Sequence, residues 1–229
     1  AKTKNKKQIV KDLDSTYYPT HAIMPWIQTV HDRVVLEVFR GCIRGCRFCH
    51  AGFVYRPVRE KSKDVLMKQA SLLLENTGYE EISLASLSTS DYSQLEKFSE
   101  ELLEVCRESK VNISLPSLRI DEFSLDLMGK VQEIRKSSLT FAPEAGTQRL
   151  RNVINKGITE EDIISGSRRA FEGGWDRVKL YFMIGLPTET EQDIEGISDL
   201  ANKIVDTFYA IPKENRAKTV KVVVSSSCF

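Results

Sequence analysis

The sequence predicts an α/β protein built on a parallel β-sheet, in which strands and helices alternate along the chain. Two patterns predict this class: β-branched apolar runs recur six times, and five segments with apolar residues at helical spacing separate them. The length of 229 residues, with 41% hydrophobic and 28% charged residues, is typical of one globular domain. Six such units can close most of a barrel or form an open doubly wound sheet, and the pattern alone leaves both architectures open.

The predicted strands are short runs of β-branched and apolar residues bounded by polar or turn residues. In chain order they are RVVLEVF (33–39), EISLASL (81–87), VNISLP (111–116), SSLTFA (137–142), RVKLYFMIG (177–185) and TVKVVVSS (219–226). Because a helical segment follows each of the first five, we expect parallel strands joined by right-handed crossovers.

The predicted helices follow the strands and carry apolar residues three or four positions apart. In the second helix Cys106 shares an apolar face with Phe98, so it is expected to be a small buried hydrophobe. Gly78 is expected to end the first helix, and Thr159 with Asp162 is expected to cap the start of the fourth. The five helices are expected within residues 63–78, 93–110, 125–134, 159–174 and 194–208.

The two ends of the chain indicate how its domains are divided, and its net charge indicates which partners to expect. Residues 1–30 show no clean period and are expected to form an extension packed on the core. Residues 31–229 would be the α/β domain, which we expect to be a fragment of a longer polypeptide because the last strand runs into the final residue. The 33 Lys and Arg against 32 Asp and Glu give a net charge of +1, which indicates no global attraction to nucleic acid or membranes.

No segment of the sequence is typical of membrane insertion or secretion. The apolar runs fall short of the roughly 18 to 20 residues that span a bilayer. The basic start of the chain lacks the hydrophobic centre of a secretory signal. We therefore expect a cytoplasmic protein with no membrane partner.

Three of the five cysteines lie within eight residues, in the stretch EVFRGCIRGCRFCHAG. Cys42, Cys46 and Cys49 have the spacing Cys-x3-Cys-x2-Cys directly after the first strand, beside two glycines that allow a tight backbone. An odd, clustered set argues against a disulfide framework and favours thiolate ligands in a reducing compartment. Iron–sulfur clusters ordinarily take four cysteines, so a set of three leaves one coordination position for a ligand from outside the protein.

This cysteine spacing, with the aromatic Phe48 directly before the last cysteine, resembles the signature of the radical S-adenosylmethionine (SAM) superfamily. The resemblance implies that the three cysteines hold a 4Fe-4S cluster, that SAM chelates the fourth iron, and that Phe48 faces the adenine. It also implies reductive cleavage of SAM to a 5'-deoxyadenosyl radical, within a six-stranded parallel partial barrel, (β/α)6. The implied partners are SAM, a reductant such as flavodoxin or ferredoxin, and an unknown substrate, with RNA and protein both left open.

Two further motifs resemble cofactor-binding segments of the same superfamily. YFMIGLPTET resembles its fifth-strand motif, which implies that the backbone of Met183, Ile184 and Gly185 lies against the adenine. TFAPEAGTQRLRNVINKG resembles the fourth-strand region of the methylthiotransferase, elongator-like and coproporphyrinogen-oxidising branches. By position in that motif Glu144 would meet the ribose, and Lys156 would meet the methionyl carboxylate as a point charge.

The end of the second strand departs from the pattern of the superfamily. Many members carry Gly-Gly-Glu there to bind the methionyl amino group, whereas this chain has SLASLSTSDY. The resemblance therefore implies that Ser86, Ser88, Thr89 or Asp91 takes that role.

Longer phrases of the sequence resemble one branch in particular. SLPSLRID, LTFAPEAGTQRLR and KLYFMIGLPTET are similar to members that often carry a cobalamin-binding domain ahead of the barrel. Ser117 and Arg119 of the first phrase are counted among the expected cofactor-binding residues. Methylthio transfer and cobalamin-dependent methylation are both left open, and cobalamin would be held by a domain that these 229 residues do not contain.

Each of these interpretations has a plainer alternative. The three cysteines and His50 could form a structural Cys3His zinc site, in a metal-stabilised binding module without turnover. Glu144 and Lys156 could be a surface ion pair of little energetic consequence. Arg56 and Arg59 could bind an anionic group of a substrate, or could simply be solvated.

Overall fold

The computed structural model describes residues 7–27, 29–114 and 139–229. The described strands are β1 (Val34–Glu37), β2 (Phe39–Arg40), β3 (Arg59–Glu60), β4 (Glu81–Ala85), β5 (Asn112–Ser114), β6 (Leu139–Glu144), β7 (Arg177–Ile184) and β8 (Lys221–Cys228). The described helices are α1 (His50–Val54), α2 (Lys63–Thr77), α3 (Leu95–Ser109), α4 (Gln148–Val153), α5 (Glu160–Glu172) and α6 (Glu191–Tyr209). Two 3-10 turns cover Thr89–Asp91 and Lys213–Asn215.

The described strands form two parallel three-stranded sheets and one short antiparallel pair. The first sheet has the order β1-β4-β5 and the second the order β6-β7-β8, while β2 pairs with β3. The six predicted strands are the six members of the parallel sheets, and helices connect neighbouring strands. The predicted α/β class and parallel strand direction are confirmed.

Each parallel sheet packs its own pair of helices. On the first sheet, α2 and α3 cover β1 and β4 through buried side chains that include Leu36, Leu66, Ile82 and Phe98. On the second, α5 and α6 cover the sheet through buried side chains that include Phe141, Phe171, Leu180 and Phe208. Burying one such side chain contributes roughly 1.5 to 3 kcal/mol to folding. Cys106 lies in the first core as predicted, and burial raises the pKa of its thiol to about 12.

The helix boundaries follow the predicted capping residues. The Ser62 hydroxyl accepts from the Val65 amide at 3.4 Å at the start of α2, and Gly78 ends that helix with a left-handed φ of 68°. Thr159 and Asp162 form a reciprocal capping box at the start of α5. The helix predicted at 125–134 lies outside the described residues, as do Ser117 and Arg119.

Part of the N-terminal segment packs on the first sheet. Leu13 is buried, and the Asp14 carboxylate accepts from the Ser62 amide at 2.8 Å. The Tyr18 hydroxyl donates to the Val35 carbonyl, and its ring lies 4.0 Å from the Lys61 ammonium. The predicted boundary at residue 30, between the N-terminal extension and the α/β domain, is not tested by these contacts and stays a prediction.

None of the helices in the described part of the chain is long and apolar enough to cross a membrane.

Candidate functional site

The three clustered cysteines lie on a loop beyond the carboxyl end of β1, where parallel α/β proteins carry their sites. The loop leads into α1, and Cys49 is the N-cap of that helix. The Cys49 amide donates to the Cys46 carbonyl at 3.1 Å, which turns the chain between these two ligand candidates. Cys42, Cys46 and Cys49 are all half-buried thiols outside any disulfide. Thiols of this kind are ligands of iron–sulfur clusters and of zinc.

Gly41 makes the tight entry into this loop possible. Its φ of +103° lies in the left-handed region, and a Cβ added there would be 2.7 Å from the carbonyl oxygens of Tyr55 and Pro57. The backbone after α1 thus closes directly on the start of the cysteine loop. A side chain at residue 41 would push these two segments apart.

A partly buried ion pair fixes the cysteine loop to the first sheet. The Arg44 guanidinium contacts both carboxylate oxygens of Asp91, with Nε and Oδ2 3.1 Å apart. The Asp91 side chain is only 5% exposed, in the 3-10 turn after β4. Because Arg44 occupies this carboxylate, Asp91 acts as an anchor of the loop. Its role toward the methionyl amino group stays a prediction.

The other residues at the end of β4 differ in how their hydroxyls are satisfied. Ser86 and Thr89 share a hydrogen bond of 2.9 Å between their hydroxyl oxygens. Ser88 Oγ is buried, and within the described part of the structure it has no hydrogen-bond partner. Buried hydroxyls are normally paired, so Ser88 is the residue of this set that most needs a ligand.

A second set of contacts joins the cysteine loop to the segment after α4. The Asn155 side-chain amide donates to the Gly45 carbonyl at 2.8 Å, and the Arg47 amide donates to the Ile154 carbonyl at 2.9 Å. A Cβ on Gly45 would lie 3.0 Å from Nδ2, the side-chain amide nitrogen of Asn155. The loop therefore bridges the two parallel sheets. The sequence analysis does not single out Asn155. In the structure it has a left-handed φ of 52°, a conformation that Asn adopts more readily than most residues.

Lys156, Glu144 and Phe48 come together beside the cysteine loop, although Phe48 lies far from the other two in the sequence. The Lys156 ammonium is 3.0 Å from Glu144 Oε1, and their side chains are 12% and 16% exposed. The same ammonium lies 5.7 Å from the centre of the Phe48 ring. A pair so little exposed is not the surface ion pair of the plainer alternative.

The backbone around Glu144 is irregular in a way that redirects its side chain. The register between β6 and β7 shifts between Phe141 and Glu144, and Glu144 has a φ of 68°. A bulge at a strand end and a left-handed residue other than glycine are both unfavourable locally, and they concentrate at functional sites.

The fifth-strand motif joins this group at the end of β7. Phe48 and Met183 both pack against one small apolar cluster, made of Ala145, Leu150, Ile154 and Leu186. Gly185 has a φ of 95°, and its amide donates to the Glu189 carboxylate at 2.6 Å. Ile184 is partly exposed at the end of the strand. Three motifs are thus brought to one place, while the individual ligand roles of their residues stay predictions.

A buried carboxylate on α6 holds two of these motifs together. Asp193 accepts hydrogen bonds from Thr190 on its own helix and from Thr147 and Arg149 on the other motif. Burial alone would raise the pKa of the Asp193 carboxyl, but these hydrogen bonds hold it well below the usual value. A Cβ on Gly146 would lie 2.4 Å from the Ile197 amide nitrogen, so backbone packs directly on backbone here.

The donor set fits an iron–sulfur cluster better than a single metal ion. Cysteine thiolates are the usual ligands of such clusters, and each binds a different iron, so they stand further apart than the ligands of one zinc ion. In the described ranges no group of three or more His, Cys, Asp or Glu side chains is placed to hold one metal ion. His50 is exposed at the start of α1, and in this described part of the chain it belongs to no such group.

Comparison with known families decides the assignment. The model of the radical SAM superfamily matches residues 36–201, which include the cysteine loop, the Glu144 region and the fifth-strand motif. The chain belongs to the radical SAM superfamily. Radical SAM proteins are enzymes that use a 4Fe-4S cluster and SAM, and the predicted family, fold and cofactors are confirmed at that level.

Three known proteins illustrate what the chain is similar to. An uncharacterized protein of Methanocaldococcus jannaschii is 41% identical over 170 residues, which cover 74% of this chain and 37% of that protein. A tRNA-2-methylthio-N(6)-dimethylallyladenosine synthase of Acetivibrio thermocellus is 24% identical over 193 residues, covering 80% of this chain and 40% of that enzyme. The radical SAM methyltransferase TsrM of Kitasatospora setae, solved with cobalamin and a [4Fe-4S] cluster, superposes with a TM-score of 0.61 at 13% identity, over 84% of this chain and 34% of its own.

The chain spans less than half the length of these relatives. Because the identity to TsrM is low, the structural similarity to it supports a shared fold and nothing further.

Proposed function

We propose that this chain is the catalytic core of an enzyme that reductively cleaves SAM at a 4Fe-4S cluster and directs the 5'-deoxyadenosyl radical to a substrate. The observation that carries the proposal is the convergence of the Lys156–Glu144 pair on Phe48 of the cysteine motif. An ammonium, a carboxylate and an aromatic ring match the carboxylate, ribose and adenine of SAM. When bound, the cluster supplies the electron that breaks a carbon–sulfur bond of SAM.

The remaining roles follow from side-chain chemistry. Cys42, Cys46 and Cys49 would each bind one iron and leave the fourth for SAM. An ammonium has three donors, so Lys156 can hold the methionyl carboxylate while it keeps its bond to Glu144. The unpartnered hydroxyl of Ser88 is the best candidate for the methionyl amino group. Phe48 and Met183 would pack against the adenine.

The acceptor of the radical is left open. One relative is named for methylthio transfer to a tRNA adenosine, and TsrM is named a methyltransferase that binds cobalamin. Either chemistry could follow SAM cleavage, with cobalamin held by a part of the polypeptide outside this chain. The reductant would be a flavodoxin or ferredoxin. Thiolate ligands and a reduced cluster suit the cytoplasm.

Metal analysis combined with product detection tests the proposal. Anaerobically reconstituted protein is expected to bind about four irons and to form 5'-deoxyadenosine from SAM on reduction. Replacing Cys42, Cys46 or Cys49 by Ala should abolish both. Cys106→Ala is the matched control, because that thiol is buried on α3 and its pKa of about 12 keeps it protonated. A protein that holds one zinc ion and forms no 5'-deoxyadenosine would instead be the binding module of the alternative.

A further inference from the structure

The outer surface beside the cysteine loop exposes large apolar side chains. Ile43 is 62% exposed, Phe53 is 63% exposed and Tyr55 is 47% exposed. These three residues, with the basic residues Lys7, Arg56 and Arg59 next to them, are called the cysteine-loop patch below. Single exposed apolar residues are common, but several beside one functional loop mark an interaction surface.

Hydrogen bonds and a ring contact connect five of the six residues of the patch, and Phe53 lies two positions before Tyr55 in the chain. The Arg56 guanidinium donates to the carbonyls of Ile43 and Arg44, at 3.5 and 2.8 Å. The Lys7 ammonium donates to the Arg56 carbonyl at 3.1 Å and lies 5.8 Å from the centre of the Tyr55 ring. Arg59 donates to the Tyr55 carbonyl at 3.5 Å, which closes the basic border.

The patch is positively charged although the chain as a whole is nearly neutral. Residues 41–59 contain four arginines and no Asp or Glu, whereas the net charge of the whole chain is +1. Arg44 is neutralised by Asp91, but Lys7, Arg56 and Arg59 donate to the backbone carbonyls described above. A carbonyl does not cancel a full positive charge. Glu37 interacts electrostatically with Arg59, but it is itself paired with Arg40, so the patch keeps a positive charge and attracts acidic partners.

We propose that the cysteine-loop patch is the docking surface for an acidic one-electron donor protein. The inference rests on the proposed function, in which each SAM molecule cleaved uses one electron from the cluster. A donor must replace that electron before the next cleavage. The replacement electron leaves the reduced cofactor of the donor, which is oxidised by one electron as the cluster is reduced. A donor seated here contacts the loop that carries all three cysteines, so its cofactor approaches the cluster.

The make-up of the patch favours a protein over a nucleic acid. An apolar centre within a charged border is the usual anatomy of protein–protein interfaces. Phosphate recognition relies on Lys and Arg, and an exposed aliphatic side chain such as Ile43 adds nothing to it. The positive sign speeds association with an acidic partner, and this effect weakens as salt is added.

The test measures reduction of the reconstituted full-length protein by a reduced, acidic flavodoxin, followed anaerobically by stopped-flow absorbance. Phe53→Ser removes the most exposed apolar side chain of the patch, and Arg59→Glu reverses a charge at its border. Each should lower the second-order rate constant about tenfold. Lys213→Glu is the matched control, because its 3-10 turn leads into the amino end of β8, at the opposite end of the strands from the cysteine loop.

Dithionite reduction separates this inference from the proposed function. The variants should keep wild-type iron content and form wild-type amounts of 5'-deoxyadenosine with dithionite, which needs no docking surface. Wild-type protein that fails with dithionite would contradict the proposed function itself. Rate constants with flavodoxin that match the wild type would overturn the docking surface. Variants that lose affinity for tRNA while flavodoxin rates stay unchanged would also overturn it.

Discussion

At the scale of single residues, Lys156 has the most specific environment in the site. It is bonded to Glu144, lies over Phe48 and is almost enclosed. Lys156→Met should raise the Kd for SAM roughly tenfold or more, because it removes a charge-assisted contact to the carboxylate. Lys156→Arg should lose less, since it keeps the charge but changes the geometry. Equilibrium dialysis of the reconstituted protein with SAM measures both.

Iron content decides how that result is interpreted. Both Lys156 variants should bind as much iron as the wild type, because the three cysteines are unchanged. An unchanged Kd for SAM in Lys156→Met would exclude the carboxylate role and leave the residue as a structural partner of Glu144.

Asp193 gives a prediction about pH. Its pKa is lowered in the folded protein, so the stability it contributes is complete above the pKa of an unfolded Asp, about 3.9. That contribution is lost as the pH falls through the folded-state pKa. Asp193→Asn should therefore lower the free energy of unfolding at pH 7, and the difference from wild type should shrink in acid. Denaturant titrations at several pH values measure this.

A control on the same helix isolates the effect of the buried carboxylate. Asp199 is exposed on α6, and Asp199→Asn should change the free energy of unfolding by about 0.5 kcal/mol or less. A difference between wild type and Asp193→Asn that stays constant from pH 7 into acid would contradict the assigned role.

At the scale of elements, the cysteine loop depends on both sheets. Arg44 joins it to Asp91 after β4, and Asn155 joins it to the segment after α4. Asn155→Gly keeps the left-handed backbone accessible and removes only the side-chain bond to Gly45. This variant should bind the cluster but lose iron to a chelator several-fold faster than the wild type.

Asn152→Ala is the matched control for the loop. Asn152 is exposed on α4, and its side-chain oxygen accepts from Gln148 at 2.8 Å rather than from the loop. Iron release should match the wild type. Equal release from Asn155→Gly and wild type would mean that the loop does not rely on this bridge.

The long elements could be predicted from sequence and the short ones could not. α2 and α5 span several turns, so their apolar periodicity and their capping residues specify them locally. α1 and α4 have five and six residues, too few for a period to emerge, and β2 and β3 have two each.

The contacts between elements could be predicted from the sequence only in part. The cysteine spacing indicated the metal site, because all three residues lie on one loop. The bond from Asn155 to Gly45 joins residues 110 positions apart, and no local pattern announces it. Arg44 and Asp91 similarly become partners only when β1 and β4 pair. The sequence therefore shows the polar residue Asp91 without showing its bond to Arg44, and its role toward SAM stays a prediction.

At the scale of the whole molecule, one loop with three cysteines is held between two parallel sheets, beside residues from the fourth and fifth strand motifs. The central claim is that this loop holds a cluster with one iron left for SAM. Electron paramagnetic resonance of the reduced, reconstituted protein tests it most directly. Adding SAM should change the g values of the cluster signal, because SAM becomes a ligand of the fourth iron. A cluster signal that SAM leaves unchanged at saturating concentration would contradict the account.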